Sequence, residues 1–251
     1  MSKMLVNGLY LVLFIAFGIN PAFSSCEDEA KPGVNWANCD FSGKDLKNKD
    51  LSNAVLTSSN FDNADFSGAL LENADFNFAK LNNARFDKAR MPKVRMVAVN
   101  AQGASFKNAV LENSRLSRSQ LKNADFTGVR ADKTNFYGAR LESAVFTGAR
   151  LNESNFEEST LTKAKFNQSI LKKSNFRKAR LHETNFHKAD LSKAILDESD
   201  CLGTDFTEAN LTKASFREAE IEEAIFTDAI LGDTIWSNYK RCRASSIGTC
   251  Q

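Results

Sequence analysis

From Phe41 to Trp236 every fifth residue is apolar, and no insertion or deletion breaks the register. The series includes Phe61, Phe66, Leu71, Phe76, Leu81 and Phe86, and later Phe206, Leu211, Phe216, Ile221, Phe226 and Leu231. Two residues before each of these positions stands a small residue, mostly Ala, Ser or Thr, as at Ala64, Ala74, Ser114, Ser154, Thr184 and Ala224. A period of five matches neither the roughly 3.6-residue repeat of a helix nor the roughly two-residue repeat of a long strand. In extended backbone, residues two apart point the same way. The large residue and the small one before it therefore both face inward, and the polar remainder turns the chain. Four such sides close a square coil of twenty residues, stacked on the next by parallel backbone pairing at about 4.8 Å. The forty units from Phe41 to Trp236 then make about ten coils, a rod roughly 43 Å long.

Reading the register modulo twenty assigns the core. Phe66, Phe86, Phe106, Phe126, Phe146, Phe166, Phe186, Phe206 and Phe226 fall on one side, one above another. Phe76, Phe136, Phe156, Phe176, Phe216 and Trp236 stand opposite, and the remaining two sides are mainly Leu. Stacked rings are expected to pack like against like, with modest gains beyond area burial. One stretch departs from the pattern. Met91, Met96 and Ala101 replace Leu or Phe while Val94 and Val99 replace the small residue, so larger neighbours are expected to refill the core. Pro92 falls at a corner, where a fixed φ is tolerated.

Composition narrows the function classes. Twenty Phe need a buried place, which rules out disorder. With 33 basic and 31 acidic residues the charge is nearly balanced, which argues against a nucleic-acid partner held by bulk electrostatics. Residues 1–24 read as an export signal: Lys3 is the sole charge, Met4 to Ile19 is largely apolar, and Ala22-Phe23-Ser24 forms a small-residue cleavage pattern. The stretch is rather short for a membrane anchor, and no transmembrane segment is expected after cleavage. Removing it takes one Lys and no acid, leaving a net charge of +1. Lipidation of Cys26 is the alternative, although Phe23-Ser24-Ser25-Cys26 matches a lipobox poorly. In an exported chain, periplasmic or secreted, two local disulfides, Cys26–Cys39 and Cys242–Cys250, would staple both ends and leave Cys201 as a free thiol. Lipidation would instead orphan Cys39; the parity favours two staples.

The motifs Asn63-Ala64-Asp65-Phe66-Ser67, Ala74-Asp75-Phe76 and Ala189-Asp190-Leu191 resemble the pentapeptide-repeat family, whose pattern is A-[DN]-L-x-x. The resemblance implies an all-β fold, a right-handed quadrilateral parallel β-helix. Pro32 to Cys39 and Cys242 to Cys250 are similar to the opening segment and the Cys-bounded tail of exported members. The layout expected is a signal peptide over 1–24, an N-terminal cap over 25–38, the β-helix over 39–240 and a C-terminal cap over 241–251. Members of the family are associated with protection of type II topoisomerases by rods resembling duplex DNA. A charge of +1, an export signal and the absence of an evident dimerising helix set this chain apart from that activity.

Nothing in the repeat converges on chemistry. His182 and His187 lie five apart, on adjacent sides and at outward corners. No serine has a His and acid partner in this geometry, and Cys201 sits at an inward position where it behaves as a small hydrophobe. No enzyme activity, metal or cofactor is expected. Two surfaces are candidates for binding. Lys133, Lys173, Lys193 and Lys213 share equivalent positions on one side, with nine bases against seven acids there. Another side groups Phe78, Arg95, Val97, Arg115, Arg118 and Tyr137, a composition common among interaction anchors. Ile225, Ile230 and Ile235 face outward near the C-terminus, and the tail after Trp236 is expected to fold back over some of them. The expected function is a non-enzymatic exported scaffold for an unknown protein or envelope partner. The alternative is a binding module for an anionic envelope component through the basic side.

Overall fold

A computed structural model describes residues 25–251; the export signal assigned to residues 1–24 lies outside the described residues. Each five-residue unit takes the same form. Its small and large residues point inward around one outward residue, and two residues then make a turn. In the unit around Asp65, Ala64 and Phe66 are fully buried while Asp65 faces out. Outward residues form parallel bridges twenty positions apart, from Asn35↔Val55 to Ser215↔Ile235. A coil is therefore twenty residues and has four walls. We number these walls by their outward residue: wall I carries Asp65, wall II Leu70, wall III Asp75 and wall IV Lys80. The bridge pattern reaches back to Asn35, into the segment assigned to the N-terminal cap.

Three backbone hydrogen bonds per wall hold successive coils together. On wall I the N–H groups of Phe66 and Gly68 donate upward to Arg85 and Asp87, at 2.7 and 2.9 Å, and Asp65 donates downward to Lys44 at 3.0 Å. Within the corner, Ala64 N–H closes a turn on the Phe61 carbonyl at 3.0 Å. One amide per unit, at the first turn residue, has no place in this ladder. The outward Asp or Asn two residues earlier caps it: Asp65 accepts from Ser67 N–H at 2.9 Å, Asn135 from Tyr137 at 2.8 Å and Asp205 from Thr207 at 2.9 Å. This is the physical content of the Asp/Asn preference beside the central residue. Pro92 occupies this amide position, so it removes no ladder bond, and Arg90 stands where a capping carboxylate would have nothing to cap.

The interior is organised by its rings. Phe66 through Phe226 form one continuous stack on wall I, with centroids 4.6–5.3 Å apart and planes within 14°. Wall III places Phe136, Phe156 and Phe176 in a second stack at 4.8–4.9 Å. Across the core the two stacks meet edge to face, as for Phe146 and Phe156 at 5.8 Å and 88°. The like-on-like stacking was legible from the register; the edge-to-face seam depends on the width of the square and was not. In the irregular stretch Met91, Val94, Met96, Val99 and Ala101 are all fully buried, so the added valine volume accompanies the shortened central residues.

Buried hydroxyls at the small position are satisfied in two ways. Ser154, Ser159, Ser169, Ser174 and Ser199 donate to the carbonyl of their own turn at 2.6–2.7 Å. Thr134, Thr184, Thr204 and Thr234 instead reach the carbonyl of the preceding coil, at 2.7–2.8 Å. Ser59, Ser114 and Ser119 make the same inter-coil bond, to the carbonyls of Trp36, Met91 and Met96, so residue type alone does not decide between the two arrangements.

Both ends carry disulfides, Cys26–Cys39 and Cys242–Cys250, and Cys201 is free and buried. At the first coil Trp36 packs on Phe41 at 4.4 Å and its indole N–H donates to the Asp28 carbonyl at 3.1 Å. At the last coil the tail adds two antiparallel bridges, Ile230↔Ile247 and Ile235↔Arg241. It thereby pairs the backbone edges of walls II and III. Ile230 remains 46% exposed, however, so the tail covers its edge and not its side chain. Tyr239 is also exposed; its hydroxyl donates to Glu218 instead of packing on the core.

Candidate interaction surfaces

The grouped aromatic and Arg residues sit at the corner between walls III and IV. Phe78, Ala98, Arg118 and Gly138 follow one another up this corner in left-handed conformation, with Phe78 64% exposed at φ 63°. The stem of Arg118 lies beneath Gly138, where an added Cβ would meet Arg118 Cγ at 3.7 Å. Arg95 pairs with Asp75 at 2.6 Å, and the Tyr137 hydroxyl donates to Glu158 at 2.6 Å, which raises the phenol pKa above its ordinary value. Arg115 and Arg118 make no salt bridge among the described residues. The surface is therefore neutralised at its foot by Asp75, cationic in its middle at Arg115 and Arg118, and closed by an acid at its upper end.

The basic side is largely neutralised by its own register. Charges one coil apart pair along the corner: Lys133 and Lys173 both approach Glu153, at 3.8 and 3.5 Å. Arg130 meets Glu112 and Arg150 meets Asp132, each at 2.7 Å, and Lys172 meets Asp190 at 3.2 Å. Lys193 and Lys213 have no such carboxylate among the described residues. Of these four lysines, whose run the sequence already interrupts at Glu153, two stay unpaired among the described residues, both near one end.

His182 and His187 stand at successive corners with different acids, His182 hydrogen-bonding Asp200 and His187 3.9 Å from Glu208. Among the described residues no three His, Cys, Asp or Glu side chains gather as metal ligands. Burial pushes the Cys201 thiol up to about 12, and its Sγ lies 3.2 Å from Ser199 Oγ. It is a thiol at neutral pH, shielded from reagents.

The ends of the rod offer surfaces of a different kind. At the N-terminal end a recess of about 660 Å³ is bordered by Trp36, Phe41 and Leu46, with Glu27, Asp28 and Lys44 around its mouth. At the C-terminal end the tail reaches the corner after wall I, where a Cβ on Gly248 would lie 3.7 Å from the Phe226 carbonyl oxygen and 3.8 Å from Asp228 N. Trp236 packs on the Phe226 ring at 4.9 Å. The tail nevertheless leaves the backbone edges of walls IV and I unpaired. The carbonyls of Ala219 and Ala224 and the N–H groups of Ile221, Glu223, Phe226 and Asp228 have no backbone partner among the described residues. Ile225, between two of these groups, is 48% exposed. The sequence marked Ile225 as outward but did not show which walls the tail would leave open.

A four-walled parallel β-solenoid with a coil of twenty residues, built from pentapeptides, defines the class of protein. Sequence comparison agrees: the pattern described as "Pentapeptide repeat region" matches residues 99–176 and 169–243, and that described as "Pentapeptide repeats (8 copies)" matches 35–73 and 69–108. The chain belongs to the pentapeptide-repeat family. A comparison with curated proteins found no match. Solved structures similar to it include HetL, a pentapeptide repeat protein involved in heterocyst differentiation regulation in Nostoc sp. strain PCC 7120. That likeness has 23% identity and a TM-score of 0.43, covering 84% of this chain and 90% of HetL. A pentapeptide repeat protein of the Arabidopsis thaliana thylakoid lumen is 26% identical over 39% of this chain and 68% of its own, with a TM-score of 0.38. QnrB1, a plasmid-mediated fluoroquinolone resistance protein, is 15% identical over 76% of this chain and 92% of its own, also at 0.38. The two terminal disulfides point to a non-cytoplasmic environment, since such bonds persist in oxidising compartments. Among the described residues no helix is long and apolar enough to cross a membrane.

Proposed function

We propose that this chain is an exported, non-enzymatic scaffold: a right-handed rod of about ten coils whose ends are capped over 25–38 and 241–251 and whose outer surface binds another protein. Residues 1–24 act as a cleaved leader in this reading. The observation that carries it is the pair of terminal disulfides, one stapling each end of a repeat that needs no crosslink within its coils. The bond to Cys39 also leaves Cys26 without a thiol for a lipid, which favours a periplasmic or secreted rod over a lipid-anchored one. Unlike coils with a constant interior, the outer corners vary in charge and shape along the rod, as a recognition surface does. Crosslinking in the native compartment, followed by mass spectrometry, tests the reading. Reproducible crosslinks from rod lysines to a defined protein are expected; a chain that crosslinks to no protein, or remains cytoplasmic with reduced cysteines, would overturn it.

A second reading, contact with an anionic envelope component, is favoured only by the unpaired Lys193 and Lys213. Charge reversal of both, with Lys173, is expected to release the protein from the envelope if that contact operates; unchanged retention removes it. The net charge of +1 argues against a surface that imitates duplex DNA.

A further inference from the structure

We infer that the uncovered edge of wall I in the last coil, Ala224-Ile225-Phe226, is a docking slot for an antiparallel β-strand of a partner protein whose apolar residue is flanked by Lys or Arg. The inference rests on the scaffold reading above and names the mode of contact and the chemistry of the partner segment. Its first support is a precedent within the molecule. The tail pairs with wall II around Ile230 through Leu231 N–H to the Ser246 carbonyl and Gly248 N–H to the Ala229 carbonyl, both at 2.9 Å. It pairs with wall III around Ile235 in the same way, through Trp236 N–H to the Lys240 carbonyl at 2.7 Å and Cys242 N–H to the Thr234 carbonyl at 2.8 Å. Wall I presents the same pair of groups around Ile225, the Ala224 carbonyl and the Phe226 N–H, and the tail does not reach them. An edge of this kind is a ready template for a further strand.

Charge selects the occupant. Glu220, Glu222, Glu223 and Asp228 surround the slot, and none makes a salt bridge among the described residues. A second copy placed edge to edge would bring these acids against themselves, which disfavours self-pairing. A strand with basic residues beside an apolar one meets both the acids and Ile225. The protein's own capping strand has this character, with Lys240, Arg241 and Arg243 in its first part and Ile247 opposite Ile230.

The test uses the disulfide-bonded protein purified after export and a labelled pentapeptide, Arg-Thr-Ile-Thr-Arg, followed by fluorescence anisotropy. A matched peptide is N-methylated on the threonine after isoleucine, which removes the N–H that would donate to the Ala224 carbonyl without changing charge. Saturable binding is expected, weakened at least about tenfold by the methyl group, by Ile225→Lys and by Glu222→Lys with Glu223→Lys. Lysine is tolerated at this outward position, since Lys165 occupies it three coils earlier. Equal binding of the two peptides, or no saturable binding, overturns the strand slot while leaving any crosslinked partner of the scaffold untouched. A dimer in sedimentation equilibrium that Ile225→Lys dissociates would assign the edge to a second copy instead and also overturn it.

Discussion

At the second turn residue of nearly every unit the backbone is left-handed, and the residue found there changes along the chain. Up to residue 148 it is mostly Asn or Gly, which adopt positive φ readily; from Glu153 onward it is mostly Lys or Glu. In the second half, opposite charges one coil apart offset part of that cost, as Lys163–Glu183 and Lys188–Glu208 do at 3.5 and 3.4 Å. Lys193 has φ 62° and no such partner, so Lys193→Asn is expected to raise stability by about 0.5 kcal/mol. Gly103→Ala should do the opposite, losing about 1–2 kcal/mol: φ is +68° and the new Cβ would lie 2.6 Å from Asn83 Oδ1. Denaturant midpoints of the two variants check both signs. The capping carboxylates set the pH response. Burial pushes Asp65, Asp125 and Asp190 up, but the hydroxyl and amide of the turn residue, with nearby Arg or Lys, outweigh it and hold each below the ordinary Asp value. A carboxylate with a depressed folded pKa contributes stability that is complete above its unfolded value of about 3.9 and is lost as pH falls through the folded one. Stability should therefore be flat from about pH 5 to neutrality and decline below about pH 4. An increase on acidification would contradict the assignment.

At the scale of the wall, the stacked rings and the end strands answer to different forces. Phe146 lies between Phe126 and Phe166 at 4.7 and 4.6 Å and meets Phe136 and Phe156 edge to face. Phe146→Ala is expected to cost about 3–5 kcal/mol, because a square held by backbone ladders on all four sides collapses little around the cavity. Phe146→Leu should recover much of that loss. The tail is held by four backbone bonds and one short disulfide loop. Replacing Cys242 and Cys250 by Ser removes a constraint of roughly 2–3 kcal/mol. Faster hydrogen exchange is expected at Leu231 and Trp236, with the amides of inner coils unchanged. Protection of those two amides in the double variant would show that strand pairing alone holds the cap.

For the molecule as a whole, the repeat makes stability a property of neighbouring coils, so the ends govern solubility and assembly. The caps meet that need unevenly: backbone edges on walls II and III are paired at the C-terminal end, while walls IV and I stay open. Cys201 reports on the integrity of the body between them. One free thiol is expected per oxidised molecule, unreactive to iodoacetamide at pH 8 while folded and titrated fully after denaturation. Rapid labelling of the native rod would mean that the coil around Leu196 and Phe206 opens.

The wall assignment of all the ladder phenylalanines could be read from the sequence because a strict period leaves each residue only one direction to face. The Asp/Asn cap was legible as a pattern, but its purpose appeared only once the ladder showed which amide was left over. The candidate surfaces were less legible. Lys133 and Lys173 read as a stripe, yet their partner Glu153 neutralises both, because ion pairing depends on side-chain reach across coils. The open edge at Ile225 was decided by tertiary structure alone. The tail after Trp236 has no repeat to fix its path, so its direction follows from the antiparallel bonds and the disulfide it can close. Local periodicity determined the rod; the non-periodic ends decided which of its edges remain available.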